Sequence, residues 1–290
     1  MKETIESHES DKEKRRTLPT WLTLGAFFLF FTILTSISMG IFLAFGLVES
    51  PNSQSLQSDI ILGSTMLVNT FISAIICLRI EGKPFSDLGL AFKGRIKDLF
   101  IGLIISVLIY ALGFAILLLT GSIEVSGWSF SPTVLVYSWF LFLLVSFNEE
   151  IMVRGFVLGR LLNTRMNRFV ALCVSSIIFS LLHIFNPGIS VLSMINLFLA
   201  GLLLGVPFIY TRNLALPISL HLFWNWIQGP VLGFKVSGNN LSSSLLEINL
   251  PKDNLLNGGA FGFEGSMVCA ILQVLFITIL IFWGEKKKLS

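Results

Sequence analysis

Two adjacent carboxylates, Glu149 and Glu150, stand well inside an apolar run, in the stretch Ser-Phe-Asn-Glu-Glu-Ile-Met-Val-Arg-Gly. The other fifteen of the seventeen acidic residues lie in tails, connections or run edges. Placing an ionised side chain in a membrane helix costs about 2.5–3.5 kcal/mol on insertion scales, so such a group faces a bundle interior and marks a pathway, a proton relay or a reaction site. Glu150 has an ordinary structural reading, because Arg154 lies at i+4 on the same helix face and can pair with it. Glu149 lies about 100° further round the helix. It has no intrahelical partner there, and low-dielectric surroundings suit a general base.

Two of the three histidines, His183 and His221, also fall within apolar runs; His8 is in the N-terminal tail. Taken singly, each reads more readily as an interhelical hydrogen-bonder than as a catalyst. Their neighbours shift that balance. Phe179 precedes His183 by four residues and Asn225 follows His221 by four, so each pair shares a helix face. An aromatic wall beside one imidazole and an amide beside the other suit a lined cavity. Counting at 1.5 Å per residue from the turn at 163–167 puts Glu149 and His183 at similar depth, about 21 and 24 Å. The same count puts His221 only about 12 Å beyond the turn at Arg212 and Asn213, nearer the cytoplasmic face.

The elements that must carry these residues are membrane helices. The 290 residues are 54% hydrophobic and 13% charged with a mean hydropathy of +0.82, whereas a soluble domain carries about 25% charged residues. Eight apolar segments, at about 21–47, 60–78, 98–120, 133–158, 168–185, 190–211, 214–230 and 266–283, are comparable to the roughly 20 residues needed to cross hydrocarbon. The expected fold is an all-α polytopic bundle of about eight spans. Eighteen of the twenty Lys and Arg residues fall on one side of that map, leaving Lys235 and Lys252 on the other. The basic excess marks the cytoplasmic side and puts both termini there. Residues 1–16 read as a charged cytoplasmic tail, too long and mixed in charge for a signal peptide, and 17–285 as one transmembrane domain. Net charge is +3, but the basic residues are spread among short connections, which excludes a nucleic-acid footprint. Cys77, Cys173 and Cys269 show no metal or disulfide spacing and read as small core residues. The connection at 235–265, with Gly-Gly-Ala-Phe-Gly-Phe-Glu-Gly at 258–265, is a lid, a re-entrant segment or a solvated loop; composition favours the last.

Glu-Glu-x-x-x-Arg at 149–154, Phe-x-x-x-His at 179–183 and His-x-x-x-Asn at 221–225, in that order on three helices, resemble the CAAX-protease and bacteriocin-processing family, which includes the CAAX prenyl proteases. The resemblance extends over about 80–284, including Asp-Leu-Gly-Leu at 87–90 and the Gly-rich connection, which looks like that of bacterial members. It implies that Glu149 and His183 hold and activate a water, that Glu150 anchors Arg154, with Phe179 supporting the site, and that His221 and Asn225 stabilise the oxyanion. It also implies a multi-pass protein of a bacterial plasma membrane, acting on a peptide precursor or membrane-protein substrate.

The chemistry of the residues agrees with that assignment. Amide hydrolysis needs a base for water, donors for the oxyanion and a polar cavity within lipid, and the set supplies all three without a Ser or Cys nucleophile. No metal is required by this reading and the HExxH geometry is missing; a catalytic zinc, were one used, would take Glu149, His183 and His221. The runner-up is a noncatalytic membrane scaffold or bacteriocin-immunity protein of the same family. A proton-coupled transporter would also explain intramembrane Glu and His, but would carry paired repeats or matching broken helices, and the sequence shows neither.

Overall fold

The computed structural model describes residues 18–47, 56–241, 243–252 and 254–289; the charged segment 1–16 lies outside them. Among the described residues each expected apolar run contains a helix. These are α1 (Thr20–Ala44), α2 (Leu56–Glu81), α3 (Ile96–Leu119), α4 (Pro132–Glu150), α5 (Arg168–Leu181), α6 (Val191–Thr211), α7 (Ala215–Trp226) and α8 (Met267–Leu289). α4 runs on through π-helical turns at Ile151–Leu158 into a last α-helical turn, Gly159–Leu162, and α7 runs on into π-helical turns at Ile227–Val231. Starts are capped as their residues dictate: Ser131 accepts from the Val134 N–H ahead of α4 with Pro132 behind it, and Asn167 accepts from the Phe169 N–H ahead of α5.

Six of the helices are long and apolar enough to cross a membrane. The 14 residues of α5 and 12 of α7 reach only about 21 and 18 Å, short of a hydrocarbon core of about 30 Å. Only α7 belongs to the interior; α5 buries one face and leaves Val170, Cys173, Ile177 and Leu181 exposed on the other. Ten of the twelve α7 residues are buried, and α7 packs against α3, α4 and α6. The close approach of α5 to α6 depends on Gly201, where a Cβ would lie 2.7 Å from that of Ser176.

One end of the bundle is tied by charge and backbone. Arg160, almost fully buried, bridges Glu81 (2.8 Å) and Asp87 (3.1 Å), and Glu285 takes Arg168 and the Tyr210 hydroxyl. At the other end, the connections carry a small antiparallel sheet, β1 (Glu124–Trp128) with β2 (Leu246–Asn249), pairing Glu124 with Asn249 and Trp128 with Leu246. This short strand pair lies outside the helical bundle, where its Val, Trp and Ile residues favour extended backbone.

Two sequence expectations are corrected. The Gly-rich end of the 235–265 connection is not a solvated loop: Asn257 and every residue from Phe261 to Ser266 are buried, while 254–256 stay exposed. Its glycines permit the packing, since a Cβ on Gly262, at φ 91°, would meet the Lys235 carbonyl oxygen at 2.2 Å. Cys77 and Cys269 are core residues, but Cys173 is exposed on the outer face of α5.

Candidate active site

Glu149 and Glu150 close the α-helical part of α4, directly before the π-helical turns, a distortion that recurs at functional sites. Glu150 is fully buried. Its Oε1 accepts from Arg154 Nη1 at 2.7 Å and from His221 Nδ1 at 2.8 Å. Arg154 also donates to the Gly201 carbonyl (3.2 Å), and its guanidinium lies 4.4 Å over the Phe179 ring. The ion pair read from i, i+4 spacing is therefore present, with a second partner, His221, that local spacing did not announce.

The two imidazoles are oriented alike. His183 Nδ1 lies 2.9 Å from the Phe179 carbonyl oxygen, which can only accept, so Nδ1 carries the hydrogen. His221 Nδ1 donates to Glu150 in the same way. Both Nε2 atoms are left facing Glu149, each 3.8 Å from its Oε2. That distance is too long for a direct hydrogen bond, so neither Nε2 is spent on the carboxylate. Glu149 is the most open of the group, its side chain 26% exposed against 7% for His221.

His183 lies in the turn just beyond α5 and not on the helix itself, although its ring still sits 4.8 Å from that of Phe179. The displacement of His221 toward one face, expected from residue counting, does not occur. The turn before α7 docks on the C-terminal turns of α4, with Arg212 donating to the carbonyls of Leu162 (3.1 Å) and Gly159 (3.5 Å) and Leu214 packed against Gly155. Nine residues then separate Arg212 from His221 and ten separate Gly159 from Glu149, which brings both to one level.

Glu149, His183, His221 and Asn225 line one cavity of about 610 Å³ together with Asn148, Asn186, Ser237 and Glu264. Leu62, Met66, Phe142 and Val145 form its apolar side between α2 and α4. Asn225 is buried one turn beyond His221 on α7. Among the described residues no group of three or more His, Cys, Asp or Glu is arranged to hold a metal ion. Glu264 is the cavity residue that sequence reasoning passed over. Its signal was a lone charge amid glycines and phenylalanines at 258–265, which a solvated loop does not need.

Six membrane-length helices, with carboxylates and imidazoles gathered on one cavity, define a multi-pass membrane protein with a polar site. Residues 130–227, from the start of α4 to the end of α7, match the family model for type II CAAX prenyl endopeptidases, Rce1-like, a protease family. The matched stretch contains Glu149, Glu150, Arg154, Phe179, His183, His221 and Asn225. A search of curated proteins gives no match.

Proposed function

We propose that the protein is an intramembrane endopeptidase that hydrolyses a peptide bond of a membrane-associated or precursor peptide. The observation that carries this reading is the convergence of two imidazole Nε2 atoms on one unspent carboxylate, each 3.8 Å from Glu149 Oε2, inside a cavity among apolar helices. Glu149 and His183 hold a water and Glu149 takes its proton as the oxygen attacks the scissile carbonyl. The negative charge that develops on the carbonyl oxygen is met by the Asn225 amide and by His221, which in its protonated form donates from Nε2. Glu149 then returns the proton to the departing amine. Glu150 holds His221 from behind and Arg154 balances its charge. The match of 130–227 to a protease family supports the same assignment. Comparing the membrane peptidome of a deletion strain rescued with wild type or with Glu149→Gln identifies the substrate. Peptides that change with wild type alone are the expected outcome; identical peptidomes favour a noncatalytic scaffold.

The water chemistry needs no Lewis acid, since a carboxylate and donors are already in place. Purified protein is expected to keep most of its activity after strong chelation. Zinc at one equivalent per chain, with activity lost on removal and restored on return, would overturn this and make Glu149, His183 and His221 ligands.

The basic excess supports a cytoplasmic side for the end tied by Arg160 and for both termini, and the resemblance to bacterial members supports a bacterial plasma membrane. In a chain with Cys77, Cys173 and Cys269 replaced by Ala, Lys93→Cys is expected to label only after permeabilisation and Ser243→Cys in intact cells. The opposite pattern inverts the topology.

A further inference from the structure

Glu264 takes no part in the hydrolytic set, yet it is buried beside it and held by four hydrogen bonds from uncharged donors. Trp224 Nε1 donates to its Oε1 (2.9 Å); Gln228 Nε2 (3.2 Å), the Ser237 N–H (2.7 Å) and Ser237 Oγ (2.9 Å) donate to its Oε2. A buried carboxylate is costly even when bonded, and an apolar side chain would fill a purely structural slot at lower cost. The identity of the donors shows what this one holds.

We infer that Glu264 is a positioning residue for the active site, clamping the segments that carry His221, Asn225 and His183 into register; the inference rests on the hydrolytic reading above. Trp224 lies on α7 three residues beyond His221 and next to Asn225. Fixing its indole N–H sets the rotation of α7 about its own axis at the turn that presents both side chains. Gln228 extends the grip into the π-helical turns; its Oε1 accepts from the buried Tyr110 hydroxyl, so its amide nitrogen is turned to donate to the Lys235 carbonyl (2.6 Å) and to Glu264 (3.2 Å).

Ser237 carries the clamp to the other histidine. Its backbone is in the left-handed region, at φ 46°, a strained conformation for a residue with a Cβ. Its N–H and hydroxyl both go to Glu264, while its carbonyl accepts from Asn186 Nδ2 at 3.0 Å. Asn186 lies three residues beyond His183 in the same turn. The Glu264 carbonyl in turn accepts from Asn196 on α6 (2.7 Å), so the residue is itself anchored. One side chain thus joins α7, the 237 loop and the His183 turn around the cavity.

A carboxylate suits this role because four donors meet two acceptor oxygens. Glutamine would aim its NH₂ group at the Trp224 N–H or at the Ser237 donors, and one side of the clamp would open with little change of shape. The test uses full-length purified protein and a fluorogenic peptide carrying the cleavage site mapped in the peptidome comparison. Glu264→Gln is expected to lower kcat about 10- to 100-fold with KM changed less than about 2-fold. Trp224→Phe, which removes one donor and no charge, is expected to lower kcat about 3- to 10-fold with KM unchanged and to combine non-additively with Glu264→Gln. It also serves if Glu264→Gln does not fold.

A readout independent of turnover is site-resolved carbethoxylation of His183 and His221 by diethyl pyrocarbonate. Rates at both are expected to change several-fold in the Glu264 and Trp224 variants and to stay at wild-type values in Leu280→Ala, a buried truncation on α8, 16 residues beyond Glu264, chosen as a stability control. Wild-type kcat in the Glu264 and Trp224 variants, or histidine rates no different from the control, would overturn the inference. If Glu149→Gln turns over normally, the hydrolytic reading has failed, and the histidine rates still decide the clamp by themselves.

Discussion

Glu149→Gln is expected to lower peptide-bond cleavage by about 10²–10⁴-fold, the range carried by a positioned general base. Its folded yield and thermal midpoint are expected to stay at wild-type values. The two halves of this expectation come from one feature of the geometry. Glu149 Oε2 makes no hydrogen bond to a protein atom, both histidine Nε2 atoms stand 3.8 Å away, and the side chain is partly open to the cavity. No protein hydrogen bond is lost when this oxygen is replaced. Glutamine keeps its shape and removes only the ability to take a proton. Steady-state kinetics on the mapped substrate, with thermal unfolding in the same detergent, check it. Near-normal cleavage would sink the mechanism and leave a scaffold role as the better account of the cluster.

Glu150→Gln should behave in the opposite way, with folding failing first. Glu150 and Arg154 are side by side and sealed, with side-chain exposures of 0% and 1%. Removing the negative partner strands the guanidinium in a low-dielectric interior, where an unpaired charge costs about 3–5 kcal/mol. That is a large share of the 5–15 kcal/mol that stabilises a typical domain. A sharp fall in monodisperse yield and thermal midpoint is expected. Adding Arg154→Met should recover much of the folding, because the stranded charge is then gone. Activity should not return with it, since the amide that replaces Glu150 no longer offers His221 Nδ1 a charged acceptor to hold the ring toward Glu149. Size-exclusion yield, thermal midpoint and turnover across the four combinations separate these effects. Wild-type folding of Glu150→Gln alone would show that the pair carries no structural weight.

Much of the fold was legible because a bilayer limits what a chain can do: each apolar run contains a helix, as hydrocarbon demands of backbone that cannot bond to water. The count of runs did not reveal that α5 and α7 are short, or that α7 is an interior helix. Apolar composition is the same for a helix facing lipid and one facing other helices, and only the packing around α7 distinguishes them. The π-helical turns after Glu150 and Trp226 had no local signal, since they change which carbonyl each N–H reaches and leave residue types alone. The burial of Asn257 and of 261–266 was missed for a related reason. Its glycines read as turn formers in sequence, whereas in the structure one of them admits the Lys235 carbonyl at a distance no side chain allows.

Residue type and spacing alone determined that two carboxylates and two imidazoles lie among apolar helices, that Arg154 is the natural partner of Glu150, and that acid–base chemistry is open to the remainder. Tertiary structure decided which ring nitrogen of each histidine faces Glu149, that Glu150 is shared between Arg154 and His221, that the turn at Arg212 docks deep enough to level His221 with Glu149, and that Glu264 joins the cavity wall. Helical periodicity encodes neighbours three or four residues apart. Each of these decisions joins segments far beyond that range, from 27 residues between Ser237 and Glu264 to 71 between Glu150 and His221, and only close packing of the whole bundle brings them together.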